Sequence, residues 1–229
     1  MELGFVGLGN LGRHLAASLL RAGFRLTVHD REEAAARPLL EAGAVWASSP
    51  SAVAAASDSV FTCLPSPQAV ADVVAGKAGL LEGLPPGGAW IDSSTNSPDE
   101  LRRLAALAET AGVHCLEAPV TGGVHLAASG SITVLVGGDE AVYASHRPAF
   151  EAIGGTVLYI GPLGSASTIK VITNMLAFIH LVAAGEALML AKRAGLDLAQ
   201  SFEAIRASSG SSFVHETESQ VILNGSYDI

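Results

Sequence analysis

From the amino terminus to about position 160, short apolar runs alternate with alanine-rich stretches whose apolar positions recur every three to four residues. The runs at 3–8, 24–29, 45–47, 59–64, 89–92, 113–117, 132–136 and 156–160 have the length of buried strands. A helix over 11–22 separates the first two, and a second helix ends near Gly43. Strands separated by helices need crossover connections, which predicts an α/β architecture with a mainly parallel, doubly wound sheet. After Gly161-Pro162-Leu163-Gly164 the pattern changes to one apolar helical stretch, 165–194, without proline. Gly195 is placed to end it, and Asp197 to cap a further helix through Ala207. The chain therefore divides into an α/β domain over 1–163 and, over 164–229, a long inter-domain helix with part of an all-helical region. The span 171–191 is apolar enough to raise the question of a membrane, but Asn174, His180 and Glu186 interrupt it and Lys170 and Lys192 flank it. A helix buried inside soluble protein is the expectation.

Composition narrows the function. Of 229 residues, 49% are hydrophobic and 15% charged, which excludes a disordered, highly charged chain. Thirteen basic against 22 acidic residues give a net charge of -9, which repels phosphate backbones and anionic lipid, so neither nucleic acid nor a membrane is expected as a partner. Cys63 and Cys115 sit in apolar runs and read as structural thiols of a reducing compartment, with no metal site expected. Met1-Glu2-Leu3-Gly4-Phe5 enters a strand without a basic flank, which favours the cytoplasm.

Gly7-Leu8-Gly9-Asn10-Leu11-Gly12 matches G-x-G-x-x-G between the first strand and the first helix, where a pyrophosphate-binding turn belongs. His29-Asp30 ends the second strand, setting a carboxylate about 20 residues on, within reach of an adenosine ribose. Together these predict a Rossmann-type nicotinamide dinucleotide site. Arg31 suits a 2′-phosphate, whereas Asp30 repels one, so NAD is expected over NADP. Cys63-Leu64-Pro65-Ser66 and Asp92-Ser93-Ser94-Thr95 end strands on the ligand-binding edge of such a sheet. Ser93, Ser94 and Thr95 also read as a capping cluster for the helix opening at Pro98. Thr121-Gly122-Gly123 offers a hydroxyl and bare backbone amides to a carboxylate, or is an ordinary strand-to-loop turn. Lys170 and Asn174, four residues apart, lie roughly 40° apart around the helix and share a face. His180 reads as an interior or interface histidine and Glu186 as structural. Ile169, Ile172, Leu176, Ile179, Ala183 and Leu190 nearly encircle the long helix, which predicts a homodimer or homotetramer.

In order, these motifs resemble the β-hydroxyacid dehydrogenase family. The resemblance covers nearly the whole chain and includes Ala118-Pro119-Val120-Thr121-Gly122-Gly123, Val134-Leu135-Val136-Gly137-Gly138 and Gly161-Pro162-Leu163-Gly164 leading to Lys170 and Asn174. It implies an NAD(P)-dependent enzyme interconverting a short 3-hydroxy carboxylic acid and its semialdehyde. By that resemblance Thr121, Gly122 and Gly123 hold the substrate carboxylate, Lys170 handles the hydroxyl proton and Asn174 orients substrate and lysine. Gly7, Leu8, Gly9, Asn10, Leu11, Gly12, Asp30, Arg31, Leu64, Pro65 and Thr95 take the cofactor side. Thr121 departs from the family's usual serine and Glu117 from its usual aspartate, and the family normally continues with further helices and another cofactor-facing lysine. Two other readings are a non-catalytic nucleotide-binding module of the same fold and an imine reductase, whose members generally lack the lysine.

Overall fold

The computed structural model describes residues 1–226. The chain forms two compact units, Met1–Lys170 and Val171–Ile229. Residues 227–229, the end of the region expected over 164–229, lie outside the described residues.

Among the described residues the first unit holds nine strands in one sheet: β1 Glu2–Val6, β2 Arg25–His29, β3 Val45–Trp46, β4 Ser59–Thr62, β5 Ala89–Asp92, β6 His114–Glu117, β7 Val120–Thr121, β8 Ile132–Gly138 and β9 Gly154–Gly161. Its helices are α1 Gly12–Arg21, α2 Arg37–Glu41, α3 Pro50–Ala55, α4 Pro67–Ala75, α5 Pro98–Thr110, α6 Val124–Ala128 and α7 Glu140–Ile153. The start of α8, Ser165–Arg193, belongs to this unit through Lys170. The order β3-β2-β1-β4-β5-β6 is parallel throughout, the doubly wound sheet expected. Beyond it β8 runs antiparallel to both β6 and β7, and β9 runs parallel to β8.

Alternation along the central strands builds a core on each face of the sheet. Leu3 and Phe5 of β1, Phe61 of β4 and Ile91 of β5 pack with Leu15 and Leu19 of α1 and Phe150 of α7. Val6, Val60 and Trp90, their neighbours in sequence, pack on the other side with Val53 of α3, Val70 of α4 and Leu101 and Leu104 of α5. These side chains are 2% exposed or less, and each contributes about 1.5 to 3 kcal/mol as buried apolar surface. Three helices on the second face share one local device. Ser49-Pro50, Ser66-Pro67 and Ser97-Pro98 each place a serine hydroxyl to accept the amide three residues on, at 3.2, 3.2 and 3.4 Å. Proline then opens the helix with the one residue that has no amide to satisfy.

The connection from β1 leads to β2, whereas that from β3 crosses back to β4 on the other side of β1. The carboxyl ends of β1 and β4 are thus the switch point, where such sheets open a crevice.

In the second unit, α9 (Leu198–Arg206) is capped by Asp197, whose Oδ1 accepts the Gln200 amide at 2.9 Å. The helix α10, Phe213–Leu223, not foreseen in the sequence, is capped by Ser212. The Phe202 and His215 rings stack at 4.7 Å, joining α9 to α10. Gly195, at φ +79, ends α8, with the Leu196 amide donating to the Ala191 carbonyl at 3.0 Å. The expectation of a buried helix over 171–191 fails: only 11% of its most apolar stretch is buried, and Phe178, Val182 and Leu190 are 66%, 62% and 70% exposed. His180 is exposed as well, not interior. An apolar pattern running all round a helix says that cover is needed, and two short helices do not supply it. By length and composition α8 is apolar enough to cross a membrane.

Candidate active site

Beyond β1 the chain turns at Gly7, with φ +99 and its amide donating to the His29 carbonyl at 3.0 Å. A Cβ at Gly7 would stand 2.3 Å from the Cys63 carbonyl oxygen, and one at Gly12 would stand 2.0 Å from the Gly7 carbonyl oxygen. A Cβ at Gly9 would meet nothing within 4 Å. Gly7 and Gly12 thus close the packing of turn, helix and strand, while Gly9 presents bare backbone to a cavity of about 780 Å³ that all three line. No side chain caps the start of α1 at Leu11; the Arg13 and His14 amides turn back onto the Gly9 and Leu11 carbonyls at 3.3 and 3.0 Å, and the positive end of the helix lies at the cavity that Gly9, Asn10, Leu11 and Gly12 line. This cradle fits a dinucleotide pyrophosphate.

Asp30 fastens one edge of the cavity. Its Oδ2 accepts the Leu8 amide at 2.6 Å and its Oδ1 the Glu32 amide at 3.0 Å. Each oxygen retains a lone pair for a ribose hydroxyl. Arg31 lines the cavity beside it. Leu8 is 1% exposed and reaches the site through its amide, whereas Asn10 and Leu11 line the cavity directly.

The opposite wall is built by Leu64, Pro65 and Thr95 from the loops after β4 and β5. The Leu64 amide donates to Ser94 Oγ at 2.9 Å, tying the loops together. Beneath them Asp92 accepts the Thr62 hydroxyl at 2.9 Å, the Ser94 amide at 3.1 Å and the Asn96 side-chain amide at 3.0 Å. Burial raises the Asp92 carboxyl above the ordinary carboxylate range, opposed by these hydrogen bonds. Thr62 in turn accepts from Trp90 Nε1 at 2.9 Å, so the wall is anchored in the core. The capping role read for Ser93, Ser94 and Thr95 is corrected: Ser97, adjacent to Pro98, caps α5. That frees Ser93, whose buried hydroxyl lines the cavity without a hydrogen-bond partner among the described residues.

Lys170 lines the same cavity, 9% exposed, and burial lowers its ammonium below the ordinary lysine value. Val120 lines it also, whereas Thr121, Gly122 and Gly123, at the end of β7 and the start of α6, do not. Asn174 belongs to the second unit. Sequence reasoning missed Gln68, Ala69, Asp72 and Val73 of α4, which complete the cavity. The signal was present in Ser66-Pro67, a helix start directly after the strand at the switch point. Burial pushes the Cys63 thiol up to about 12, and both cysteines are free.

Residues 2–161 match the family described as the NAD binding domain of 6-phosphogluconate dehydrogenase. Residues 164–229 match the NAD-binding family of NADP-dependent 3-hydroxyisobutyrate dehydrogenase. The mitochondrial 3-hydroxyisobutyrate dehydrogenase of Mus musculus is 36% identical over 96% of this chain, which spans 65% of that enzyme's length. An NAD-dependent L-serine dehydrogenase of Pseudomonas aeruginosa is 35% identical over 94% of this chain and 72% of its own. The crystal structure of a 3-hydroxyisobutyrate dehydrogenase from Salmonella typhimurium superposes with a TM-score of 0.90 at 33% identity, covering 99% of this chain and 80% of that one. The chain belongs to the β-hydroxyacid dehydrogenase family, and its first unit is the family's Rossmann-type dinucleotide-binding domain.

Proposed function

We propose that the chain is an oxidoreductase moving a hydride between NAD and a short 3-hydroxy carboxylic acid or its semialdehyde. The observation that carries this reading is Lys170, a buried lysine of lowered pKa on the wall of the cavity that the glycine turn and Asp30 also line. A nicotinamide dinucleotide held by the glycine turn and Asp30 would supply the hydride chemistry, which leaves the protein to orient the substrate and move one proton. Lys170, with less hold on its proton than a solvated lysine, takes the hydroxyl proton in oxidation and returns it in reduction. By the family resemblance the carboxylate falls to Thr121, Gly122 and Gly123, which directly follow the cavity-lining Val120, and the orienting of substrate and lysine to Asn174, one turn along the same helix. The experiment is turnover of 3-hydroxyisobutyrate and L-serine with NAD, followed by NADH absorbance. NADH binding without turnover of either acid or their aldehydes would instead favour a non-catalytic nucleotide-binding module. An imine reductase is disfavoured because its members generally lack the lysine that stands here as Lys170.

NAD is preferred over NADP. Asp30 repels a 2′-phosphate and accepts ribose hydroxyls, and hydrogen bonds to a charged acceptor contribute about 1.5 to 3 kcal/mol. Asp30→Ala is expected to raise KM for NAD more than tenfold while leaving that for NADP unchanged or lower, because the repulsion of the 2′-phosphate is removed, in steady-state assays of both cofactors. A wild-type preference for NADP that survives Asp30→Ala would transfer the choice to Arg31.

The exposed apolar surface of α8 is covered by a second copy of the chain rather than by lipid, since Asn174, His180 and Glu186 interrupt it. Light scattering at micromolar concentration should return a dimer or tetramer, and a monodisperse monomer would contradict it. Placement in the cytoplasm rests on the two free cysteines.

A further inference from the structure

We infer that Glu117 is a positioning residue for Lys170, its carboxylate latching the first turn of α8 to the end of β6. The inference rests on the reading of Lys170 given above and concerns residues within the first unit only. Glu117 is 1% exposed. Its Oε1 accepts the Gly164 amide at 2.6 Å and the Ala166 amide at 2.9 Å. Its Oε2 accepts the Ser167 amide at 2.9 Å and the Ser167 hydroxyl. One side chain thus takes up three backbone amides at a helix start, where the helix itself offers no acceptor, together with a hydroxyl from the same turn. A negative carboxylate also complements the positive end of the helix.

The fold reserves space for this contact. Glu117 stands opposite Gly137 across the antiparallel β6–β8 pair. A Cβ at Gly137 would lie 2.3 Å from Glu117 Oε1, so any larger residue there displaces the carboxylate. Lys170 follows Ser167 by three residues, so the two share a helix face and the lysine sits one turn beyond the latched turn. The same chain segment runs from Glu117 through Ala118 and Pro119 to Val120, which lines the cavity. One carboxylate therefore sets the helix start against the strand end that borders the site. The four donors occupy both oxygens of the carboxylate. A carboxamide keeps one accepting oxygen and turns its N–H groups toward at least one backbone amide, a donor that cannot turn to accept as the Ser167 hydroxyl can, so at least one of the three amides loses its acceptor.

The test uses Glu117→Gln in the full chain with NAD and the better of 3-hydroxyisobutyrate and L-serine, well below the variant's Tm. The expected result is kcat lowered ten- to a hundredfold, with KM for the acid within threefold and NADH affinity, read by fluorescence, within twofold. Hydrogen exchange should accelerate in the peptide spanning 164–170 and stay unchanged across β1, β4 and β5. Lys170→Ala alone tests the lysine, and retention of its kcat would refute that reading without reference to Glu117. The double variant isolates the latch. If Glu117 acts through Lys170, Glu117→Gln/Lys170→Ala is no slower than Lys170→Ala, because coupled residues are non-additive. Losses that multiply, a Glu117→Gln kcat within twofold of wild type, or unchanged exchange at 164–170 would each overturn the proposal. Should Glu117→Gln not fold, Ser167→Ala removes a single donor and is expected to lower kcat two- to fivefold with unchanged NADH affinity. No effect on kcat there would overturn the latch equally.

Discussion

Gly7→Ala is expected to destabilise the first unit by about 2 to 6 kcal/mol, whereas Gly9→Ala is expected to leave its stability unchanged and weaken NADH binding at least tenfold. Two costs combine at Gly7. Its φ of +99 is a left-handed conformation that costs a side-chain-bearing residue roughly 1 to 3 kcal/mol. Its new Cβ would also stand 2.3 Å from the Cys63 carbonyl oxygen, and overpacking against backbone costs about 1 to 3 kcal/mol more. In a domain of this size the sum lowers Tm by roughly 4 to 24 °C. At Gly9 the backbone needs no left-handed angle and the Cβ meets no protein atom. The methyl group instead enters the cavity where a pyrophosphate approaches the bare backbone. Thermal melts without cofactor, alongside NADH fluorescence titrations, separate the two effects. Undiminished NADH affinity in Gly9→Ala would mean that the turn does not face the cofactor.

This contrast between neighbouring glycines marks how far the sequence could be read. Residue spacing alone located the turn, because G-x-G-x-x-G must follow one strand and an acidic residue must end the next. The strands and the long helix were legible for a similar reason, since alternation and a 3.6-residue period are local properties of the chain. Long-range pairings were not. Nothing in Glu117 announces that its carboxylate meets Gly164, Ala166 and Ser167, some fifty residues on. β7 spans only Val120–Thr121, too short for a period to show, so the antiparallel part of the sheet went unread. The cap of α5 was misplaced because four hydroxyl-bearing residues precede Pro98, and only the backbone geometry of Ser97 selects among them. The exposure of α8 was hidden for another reason. Periodicity reports which faces need cover, and it does not report what provides it.

Lys170→Arg is expected to lower kcat by roughly 10² to 10⁴-fold, the usual contribution of a positioned acid–base group, while leaving NADH affinity nearly unchanged. Arginine keeps the positive charge and much of the length, but its guanidinium does not release a proton near neutral pH, so the substitution isolates proton transfer from charge. The pH dependence of the wild type supplies the second measurement. Burial lowers the Lys170 pKa, because moving the ammonium out of water disfavours its charged form. Alcohol oxidation needs the neutral amine, so its rate rises with pH through that lowered pKa and levels off above it. Reduction of the aldehyde needs the ammonium, so its rate falls with pH through the same pKa in the free enzyme. Both limbs therefore lie below the ordinary lysine value, and both vanish in Lys170→Arg. A variant that keeps most of its kcat, or a wild-type profile whose limb survives the substitution, would reduce Lys170 to a fixed positive charge beside the cofactor. The proton would then pass through water or another side chain.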